Sequence, residues 1–263
     1  MTSAADGGLV LCERGHGLAT LTLNSPANRN ALSGALMREL MAALAAAVDD
    51  DSVRVVVLTH TGPAFCAGAD LAETAAAYAG TAPLPAALLG DLLAAVWECP
   101  KPLVARVAGP ARAGGLGLVA AADIAVCAED ATFAFSEVRL GVVPAIVSAP
   151  VLRRLDPRAA AALMLTGDVF DGRRAAEIGL VTAAAPAGAV DETVAAYCSA
   201  LLRGGPAALA ATKGLLRRPP AATLRDDLAA LVDLSLAHFG SAEGMEGVRA
   251  FREKRPPRWA SGD

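Results

Sequence analysis

Apolar and polar positions alternate along this chain in two patterns, one with the period of a strand and one with the period of a helix. Residues 9–13 and 18–23 flank the polar turn at 14–17, which predicts a β-hairpin. Ser33 is a good helix cap, and the apolar positions after it recur at helical spacing, namely Leu36, Met37, Leu40, Leu44 and Val48. The start of the chain therefore predicts two paired strands followed by an amphipathic helix.

Segments of both kinds continue to the end of the chain. Strands are predicted at residues 55–58, 102–108, 123–126 and 131–135, and helices at 71–75, 86–97, 114–122, 147–152, 158–165 and 172–178. Residues 78–85 show little periodicity. Further helices at residues 190–202, 206–216, 222–239 and 245–254 make a helix-rich tail. Strand–turn–helix units without a fixed repeat predict an α/β fold with a helical tail.

One strand ends in a glycine-containing turn that leads into a helix. The apolar run at residues 55–58 is broken at 61–63, and Gly68 lets the backbone pass where a Cβ would collide. Asp70 then suits the cap or first turn of the helix at 71–75. Because the first N–H groups of a helix have no partner within it and carry partial positive charge, a carbonyl oxygen can bind there.

A second unit of the same kind follows. The strand at residues 102–108 is turned by Gly109 and Pro110, and Gly114 and Gly115 begin a short apolar helix. Two N–H groups converging on one oxygen form an oxyanion hole, which stabilises negative charge that develops on a carbonyl group. One glycine-rich turn is a weak signal, but two such turns in this order are far more specific.

These two turns and the motifs around them resemble the crotonase (enoyl-CoA hydratase/isomerase) superfamily. The matching segments occur in the order of that family, at residues 23–33, 65–71, 114–115, 135–141, 243–247 and 251–255. The resemblance runs from about Leu9 to Trp259 and is closest to single-glutamate hydratases, such as methylglutaconyl-CoA hydratase-like members. It implies a crotonase-like spiral of ββα units with the coenzyme A and acyl site over residues 1–200, and a C-terminal helical trimerisation region over residues 201–263.

The resemblance also implies which residues form the site. The backbone N–H groups of Ala69 and Gly114 polarise the thioester carbonyl of a coenzyme A ester, and Glu137 is the catalytic acid/base. The residues implied to bind substrate are Arg29, Ala67, Gly68, Asp70, Gly115, Gly117 and Lys254. No metal is implied, and coenzyme A is part of the substrate rather than a separate cofactor.

Glu137 follows the apolar strand predicted at residues 131–135. Beside an apolar pocket, desolvation raises the pKa of a carboxyl group and suits it to proton transfer. By itself the residue favours a structural carboxylate paired with Arg139 or Arg153, whereas its match to one of two catalytic glutamates in other hydratases favours catalysis. The second of those glutamates lies three residues after the second oxyanion glycine, where this chain has Gly117.

Three functions stay open because glycine cannot activate water. The leading hypothesis is an enoyl-CoA hydratase-like lyase in which Glu137 adds water across the Cα=Cβ bond. The first alternative is a Δ3,Δ2-enoyl-CoA isomerase in which the same glutamate moves a proton between Cα and Cγ. The second is a non-catalytic acyl-CoA-binding protein, which the missing glutamate favours and the intact oxyanion motifs oppose.

Four more residues with polar chemistry lie outside these motifs. Arg112 precedes the oxyanion glycines, where relatives usually have an apolar residue. It is interpreted as facing solvent or the phosphates of coenzyme A, with a bidentate pair to an acyl carboxylate as the alternative. His16, His60 and His238 belong to no catalytic motif and are predicted to be structural, and no G-x-S-x-G elbow is present.

Composition narrows the class of protein further. Of the 263 residues 54% are hydrophobic, which excludes a disordered chain, and a net charge of −4 without a basic stripe argues against a nucleic-acid partner. The five cysteines are scattered without a C-x-x-C pair, so neither a zinc site nor a disulfide framework is indicated. No signal peptide and no apolar run of membrane length is recognised, which favours a cytoplasmic protein without a membrane partner. The family resemblance implies that the chain assembles as a homotrimer or as a dimer of trimers.

Overall fold

The computed structural model describes residues 7–81 and 85–260. Its strands are β1 Val10–Gly15, β2 Leu18–Leu23, β3 Val55–His60, β4 Leu103–Val107, β5 Ala111–Arg112, β6 Ile124–Ala128, β7 Thr132–Ala134, β8 Phe170–Asp171 and β9 Ala183–Ala185. Its α-helices are α1 Gly34–Val48, α2 Leu71–Tyr78, α3 Ala86–Glu98, α4 Gly114–Ala121, α5 Ala145–Val151, α6 Pro157–Thr166, α7 Gly172–Glu177, α8 Val190–Leu202, α9 Pro206–Arg217, α10 Leu224–Phe239 and α11 Ala242–Arg252. The predicted α/β fold with a helical tail is confirmed. Part of the weakly periodic segment, residues 82–84, lies outside the described residues.

Six strands form the main sheet in the order β1-β2-β3-β4-β6-β9. β1 and β2 pair antiparallel as the predicted hairpin, and the later neighbours pair parallel. β3 is interior to the sheet and is buried from Val55 to Thr59, as a continuous apolar run predicts. Because β3 and β4 are parallel neighbours, they end at the same edge of the sheet. The two glycine-containing turns that follow them are therefore adjacent in space.

A second, smaller sheet has the order β5-β7-β8. β5 pairs parallel with β7, and β7 pairs antiparallel with β8. The rings of Phe133 and Phe135 stack on Phe170, with centroids 5.7 and 6.2 Å apart, which fastens β7 and the residue after it to β8. A 3-10 turn, Ser136–Leu140, follows directly and carries Glu137. The small sheet thus positions the predicted acid beside the second glycine turn.

Two helices frame this edge of the main sheet. α1 begins where predicted, and the Ser33 hydroxyl accepts a hydrogen bond from Leu36 N–H at 3.2 Å. All eight residues of α4 are buried, which explains why this helix contains only glycine, alanine, leucine and valine. A helix that is apolar on every side lies within a core.

The helical tail is present, with bounds that differ from the prediction at its end. α11 begins at Ala242, because the Ser241 hydroxyl caps it by accepting from Gly244 N–H at 3.0 Å. It ends at Arg252, and Lys254 has a positive φ of 54° that no helix continues. The helix predicted at 245–254 is therefore shifted. The predicted division near residue 200 falls within α8, which packs on β4 and β6, and the two-domain division stays a prediction.

Residues 7–81 and 85–260 offer neither a single helix of membrane-spanning length and character nor a cluster of metal-binding side chains. No single helix there is long and apolar enough to cross a bilayer, although the bent pair Ala187–Leu202 and Pro206–Arg217, at 109°, meets the length and composition criteria together. No group of three or more histidine, cysteine, aspartate or glutamate side chains in that part of the chain is arranged to hold a metal ion.

Candidate active site

The first oxyanion turn is shaped by the close approach of the second. Gly68 has a φ of 90°, and a Cβ there would lie 2.9 Å from Ala113 Cβ and 3.1 Å from Arg112 O. Only glycine fits this position. Leu32 N–H donates to Gly68 O at 2.7 Å, and Leu32 forms a parallel bridge with Ala69, the residue before the Asp70 cap of α2. The Asp70 carboxylate caps α2 by accepting from the N–H groups of Ala72 and Glu73.

The second oxyanion turn places Gly114 as the first residue of α4. The preceding Ala113 has a φ of 45° and ψ of −116°, an unfavourable conformation that turns the chain sharply into the helix. A Cβ on Gly114 would lie 2.7 Å from Leu32 Cδ1, so this face of the glycine is tightly packed. Among the described residues, neither Ala69 N–H nor Gly114 N–H has a hydrogen-bond acceptor. Both predicted donors are thus unpaired within the described part of the chain.

A cavity of about 890 Å³ lies beside these two turns. Its charged lining side chains are Arg29, Asp70, Arg112 and Glu137. The remaining lining is mostly apolar and comes from α1, α2, α3, α5 and the connecting loops, with Leu32, Met37, Leu71, Tyr78, Leu89, Leu140, Val142 and Ile146 as its large side chains. A mostly apolar cavity with a few polar groups is typical of a small-molecule site.

Glu137 is buried on the wall of this cavity. It is 9% exposed, and its Oε2 has no hydrogen-bond partner among the described residues. Burial raises its pKa, with a smaller opposing effect from its own backbone N–H. Arg139 instead donates to Thr166 O and Asp168 Oδ1, and Arg153 donates to Ala149 O. The alternative interpretation of Glu137 as a carboxylate paired with either arginine is therefore wrong.

The position of the missing second glutamate is filled by another side chain. A Cβ on Gly117 would lie 2.9 Å from Leu93 Cδ1, so Leu93 of α3 takes the space of a longer residue. Gly115 faces Cys66, whose Cβ would be 2.8 Å from a methyl group there. Gly68, Gly114, Gly115 and Gly117 do not line the cavity, although Ala113, directly before Gly114, does. Their predicted contacts with substrate stay predictions, and close packing against neighbouring residues accounts for a glycine at each of these positions.

Arg29, Ala67 and Asp70, which are predicted to bind substrate, line the cavity together with Ala69. Ala67 N–H donates to Arg29 O at 3.0 Å, which joins the loop after β2 to the first oxyanion turn. Asn30, fully buried, strengthens this connection by donating to Thr61 O at 3.0 Å and Ala64 O at 2.8 Å. Asn30 was not identified from the sequence as a positioning residue. The sequence signal for this role is a polar side chain directly after the loop arginine, Arg29.

The remaining predicted residues lie elsewhere. Lys254 follows α11, is exposed and does not line this cavity, so one chain does not bring it to Glu137. His60 packs edge-on against Phe65, and its Nε2 accepts from Ala108 N–H at 3.2 Å. His16 occupies the hairpin turn and His238 the last turn of α10. None of the three histidines lines the cavity, and their structural roles stay predictions.

Comparisons with known proteins agree with this geometry. The family model for enoyl-CoA hydratase/isomerase matches residues 13–262. The chain is 34% identical over 242 residues to the 2,3-dehydroadipyl-CoA hydratase of Escherichia coli, covering 90% of this chain and 92% of that protein. The solved structure of Pseudomonas aeruginosa AtuE superposes with a TM-score of 0.90 at 39% identity, covering 96% of this chain and 100% of that one. A solved enoyl-CoA hydratase from Mycobacterium avium has 45% identity and a TM-score of 0.73, covering 96% and 99%. The predicted spiral fold is confirmed, and the chain belongs to the enoyl-CoA hydratase/isomerase family of the crotonase superfamily, whose members act on acyl-CoA thioesters.

Proposed function

We propose that this protein is an enoyl-CoA hydratase-like lyase that adds water across the Cα=Cβ bond of a 2-enoyl-CoA thioester. The observation that carries the proposal is the unpartnered, buried Oε2 of Glu137 on the wall of a cavity that Ala69 and Ala113 also line, with unbonded backbone N–H groups on Ala69 and on Gly114, the residue after Ala113. A structural carboxylate at this depth is normally paired, whereas a group that exchanges protons with a ligand must keep an accessible lone pair.

The thioester carbonyl would accept hydrogen bonds from Ala69 N–H and Gly114 N–H. These donors withdraw electron density through the conjugated double bond and make Cβ electrophilic. As the nucleophile adds, negative charge moves to the carbonyl oxygen, where both donors stabilise it. Because Gly114 begins α4, the partial positive charge at that helix end adds to the effect. The two donors therefore bind the transition state more strongly than the substrate.

Glu137 would act first as base and then as acid. Its carboxylate takes a proton from water while the water oxygen bonds to Cβ, and the resulting carboxylic acid returns that proton to Cα of the enolate. The hydroxyl and the proton of one water molecule are thereby both accounted for. Burial raises the pKa of Glu137, which makes its carboxylate a stronger base toward water. With Leu93 filling the space beside Gly117, this mechanism uses a single carboxylate.

A Δ3,Δ2-enoyl-CoA isomerase is the second candidate, and the absence of a carboxylate at Gly117 favours it. In that reaction Glu137 removes a proton from Cα of a 3-enoyl thioester and delivers it to Cγ, while the same two N–H groups hold the enolate oxygen. No water needs to be activated. The non-catalytic acyl-CoA-binding alternative is less well supported, because it gives the unpaired Glu137 carboxylate no purpose.

One pair of assays separates these functions. The purified protein is incubated with crotonyl-CoA and, separately, with trans-3-hexenoyl-CoA, and the absorbance of the conjugated thioester is followed. A hydratase consumes the absorbance of the first substrate, an isomerase produces it from the second, and a binding protein changes neither. Glu192→Gln is a suitable control variant, because Glu192 is exposed in the first turn of α8 and does not line the cavity.

We also propose that the chain assembles as a homotrimer or a dimer of trimers. The tail leaves a series of large apolar side chains exposed, namely Leu224, Leu228, Val232, Leu236, Phe239, Met245, Val248 and Phe251. The first four recur every four residues and share one face of α10. Light scattering coupled to size-exclusion chromatography should give three or six times the 26.4 kDa mass of one chain, and a monomeric wild type would contradict the proposal.

A further inference from the structure

Arg112 lies on the cavity wall with its positive charge unbalanced. Its Nη1 donates to the carbonyl oxygens of Ala111 at 2.9 Å and Thr132 at 2.5 Å, and its Nη2 donates to Thr132 Oγ1 at 2.9 Å. These acceptors are neutral, and no carboxylate of the described residues forms an ion pair with it. The side chain is partly buried, and burial lowers its pKa. A partly desolvated cation without a counter-ion favours binding of an anion.

The bonding of Arg112 leaves one edge of its guanidinium available. Of its five N–H donors three are used, two on Nη1 and one on Nη2. The Nε–H group and the second Nη2–H group, which lie on the same edge, donate to none of the described residues. That edge has the geometry for two parallel hydrogen bonds to a phosphate or carboxylate. Thr132 holds the side chain in place, so less conformational freedom is lost on binding.

The location of Arg112 indicates which anion it meets. A second cavity of about 290 Å³ adjoins the active-site cavity, and Arg29, Ala67 and Arg112 line both. Glu137 and the apolar side chains Leu89 and Ile146 line only the large one. Arg29 also has no ion-pair partner among the described residues. Two arginines without ion-pair partners therefore lie at the junction of the two cavities, and among the described lining residues of the smaller cavity they are the only charged ones.

We propose that Arg112, together with Arg29, binds a phosphate group of the coenzyme A portion of the substrate rather than a carboxylate on its acyl chain. This inference rests on the proposed function, since it requires a coenzyme A thioester as ligand. Arg112 is then a substrate-binding residue that contributes to affinity and leaves the chemical step unchanged. The acyl group of the substrate then binds in the part of the cavity that is lined by large apolar side chains, which favours an uncharged acyl group.

Calorimetric binding of unreactive thioesters tests this assignment. The ligands are butyryl-CoA, S-butyryl-pantetheine, which lacks the phosphates, and S-glutaryl-pantetheine, which carries an acyl carboxylate. Arg112→Gln should weaken butyryl-CoA binding about 10-fold or more, as expected for loss of a charge-assisted pair, and leave both pantetheine esters unchanged. Arg112→Lys keeps the charge without the bidentate edge and should show a smaller loss. Arg158→Gln is the matched control, because Arg158 is exposed on α6 and lines neither cavity.

The outcomes separate the two proposals. If the wild type binds butyryl-CoA and both Arg112 variants bind it equally well, the phosphate assignment is wrong while the proposed function stands. A loss confined to S-glutaryl-pantetheine assigns Arg112 to an acyl carboxylate and likewise overturns the phosphate assignment. If the wild type binds none of the thioesters, the proposed function and this inference fail together.

Discussion

Replacing Glu137 by glutamine should lower activity and raise stability at the same time. The Oε2 atom of Glu137 is buried without a partner, and burial raises the pKa of this carboxyl group. The folded protein therefore holds this proton more tightly than the unfolded chain does. Stability from this group is fully present below the ordinary glutamate pKa of 4.5 and is lost as pH rises through the raised pKa. At neutral pH the carboxyl group thus destabilises the fold.

The magnitudes follow from the kind of group that is removed. A buried polar group without a partner costs about 1–3 kcal/mol, and more when it is charged. The glutamine amide also needs partners, so we expect Glu137→Gln to raise the free energy of unfolding by about 1 kcal/mol at pH 7. The amide cannot exchange a proton, so turnover should fall at least ~100-fold, as loss of general acid–base catalysis implies. Binding of the thioester should survive.

Urea unfolding at pH 7 and pH 4, with initial rates on the active substrate, measures both effects. Glu246→Gln is the matched control, since Glu246 is also 9% exposed but accepts from Arg255 Nη1 at 2.8 Å. This pairing lowers the pKa of Glu246 to about 2, so its contribution is present above the ordinary pKa and is lost as pH falls from 4.5 toward 2. Glu246→Gln should therefore destabilise the protein at pH 7. A Glu137→Gln protein that retains the wild-type rate would refute the catalytic assignment. A variant that is less stable than the wild type at pH 7 would refute the reasoning about the buried, unpaired carboxylate.

Three further substitutions test the two turns and the tail. In Gly114→Val the new Cβ would lie 2.7 Å from Leu32 Cδ1, so the backbone must shift. Because this shift misplaces an oxyanion donor, the rate should fall ~100-fold. A folded variant with full activity would show that the carbonyl binds elsewhere. Gly68→Ala adds a methyl group 2.9 Å from Ala113 Cβ at a φ of 90°, so urea unfolding should show a loss of about 1–3 kcal/mol. Lys254→Ala should raise KM for a coenzyme A ester at constant kcat and leave a pantetheine thioester unaffected, if the lysine meets phosphate across a subunit boundary. Equal effects on both thioesters, or none on either, would contradict that role.

Local sequence patterns were sufficient for most of the secondary structure. The hairpin of β1 and β2, the Ser33 cap of α1 and the cap of α2 by Asp70 each depend on neighbouring residues, so a short window contains the determining signal. The predicted end of α11 is wrong, because the segment is basic and polar and has no apolar periodicity whose last residue would mark the end of the helix. The Ser241 cap and the positive φ of Lys254 set its bounds instead.

The candidate site was only partly accessible from sequence. The two glycine-containing turns are recognisable in the sequence, because a helix start whose backbone N–H groups can bind a ligand has small residues around it. Whether a given glycine lines the cavity depends on how distant segments pack against it. Gly117 faces Leu93 and Gly115 faces Cys66, and no local pattern indicates either neighbour.

The environment of the two charged residues on which the chemistry depends is set by tertiary packing. The order of residues shows that Glu137 follows an apolar strand and that Arg112 precedes the oxyanion glycines. It left open whether Glu137 pairs with an arginine and where Arg112 points. Both questions depend on which side chains approach from other elements, because the solvation and pairing of a charge are set by everything within a few ångströms of it. Folding leaves the Glu137 carboxylate buried and unpaired and holds Arg112 against Thr132 with one edge available.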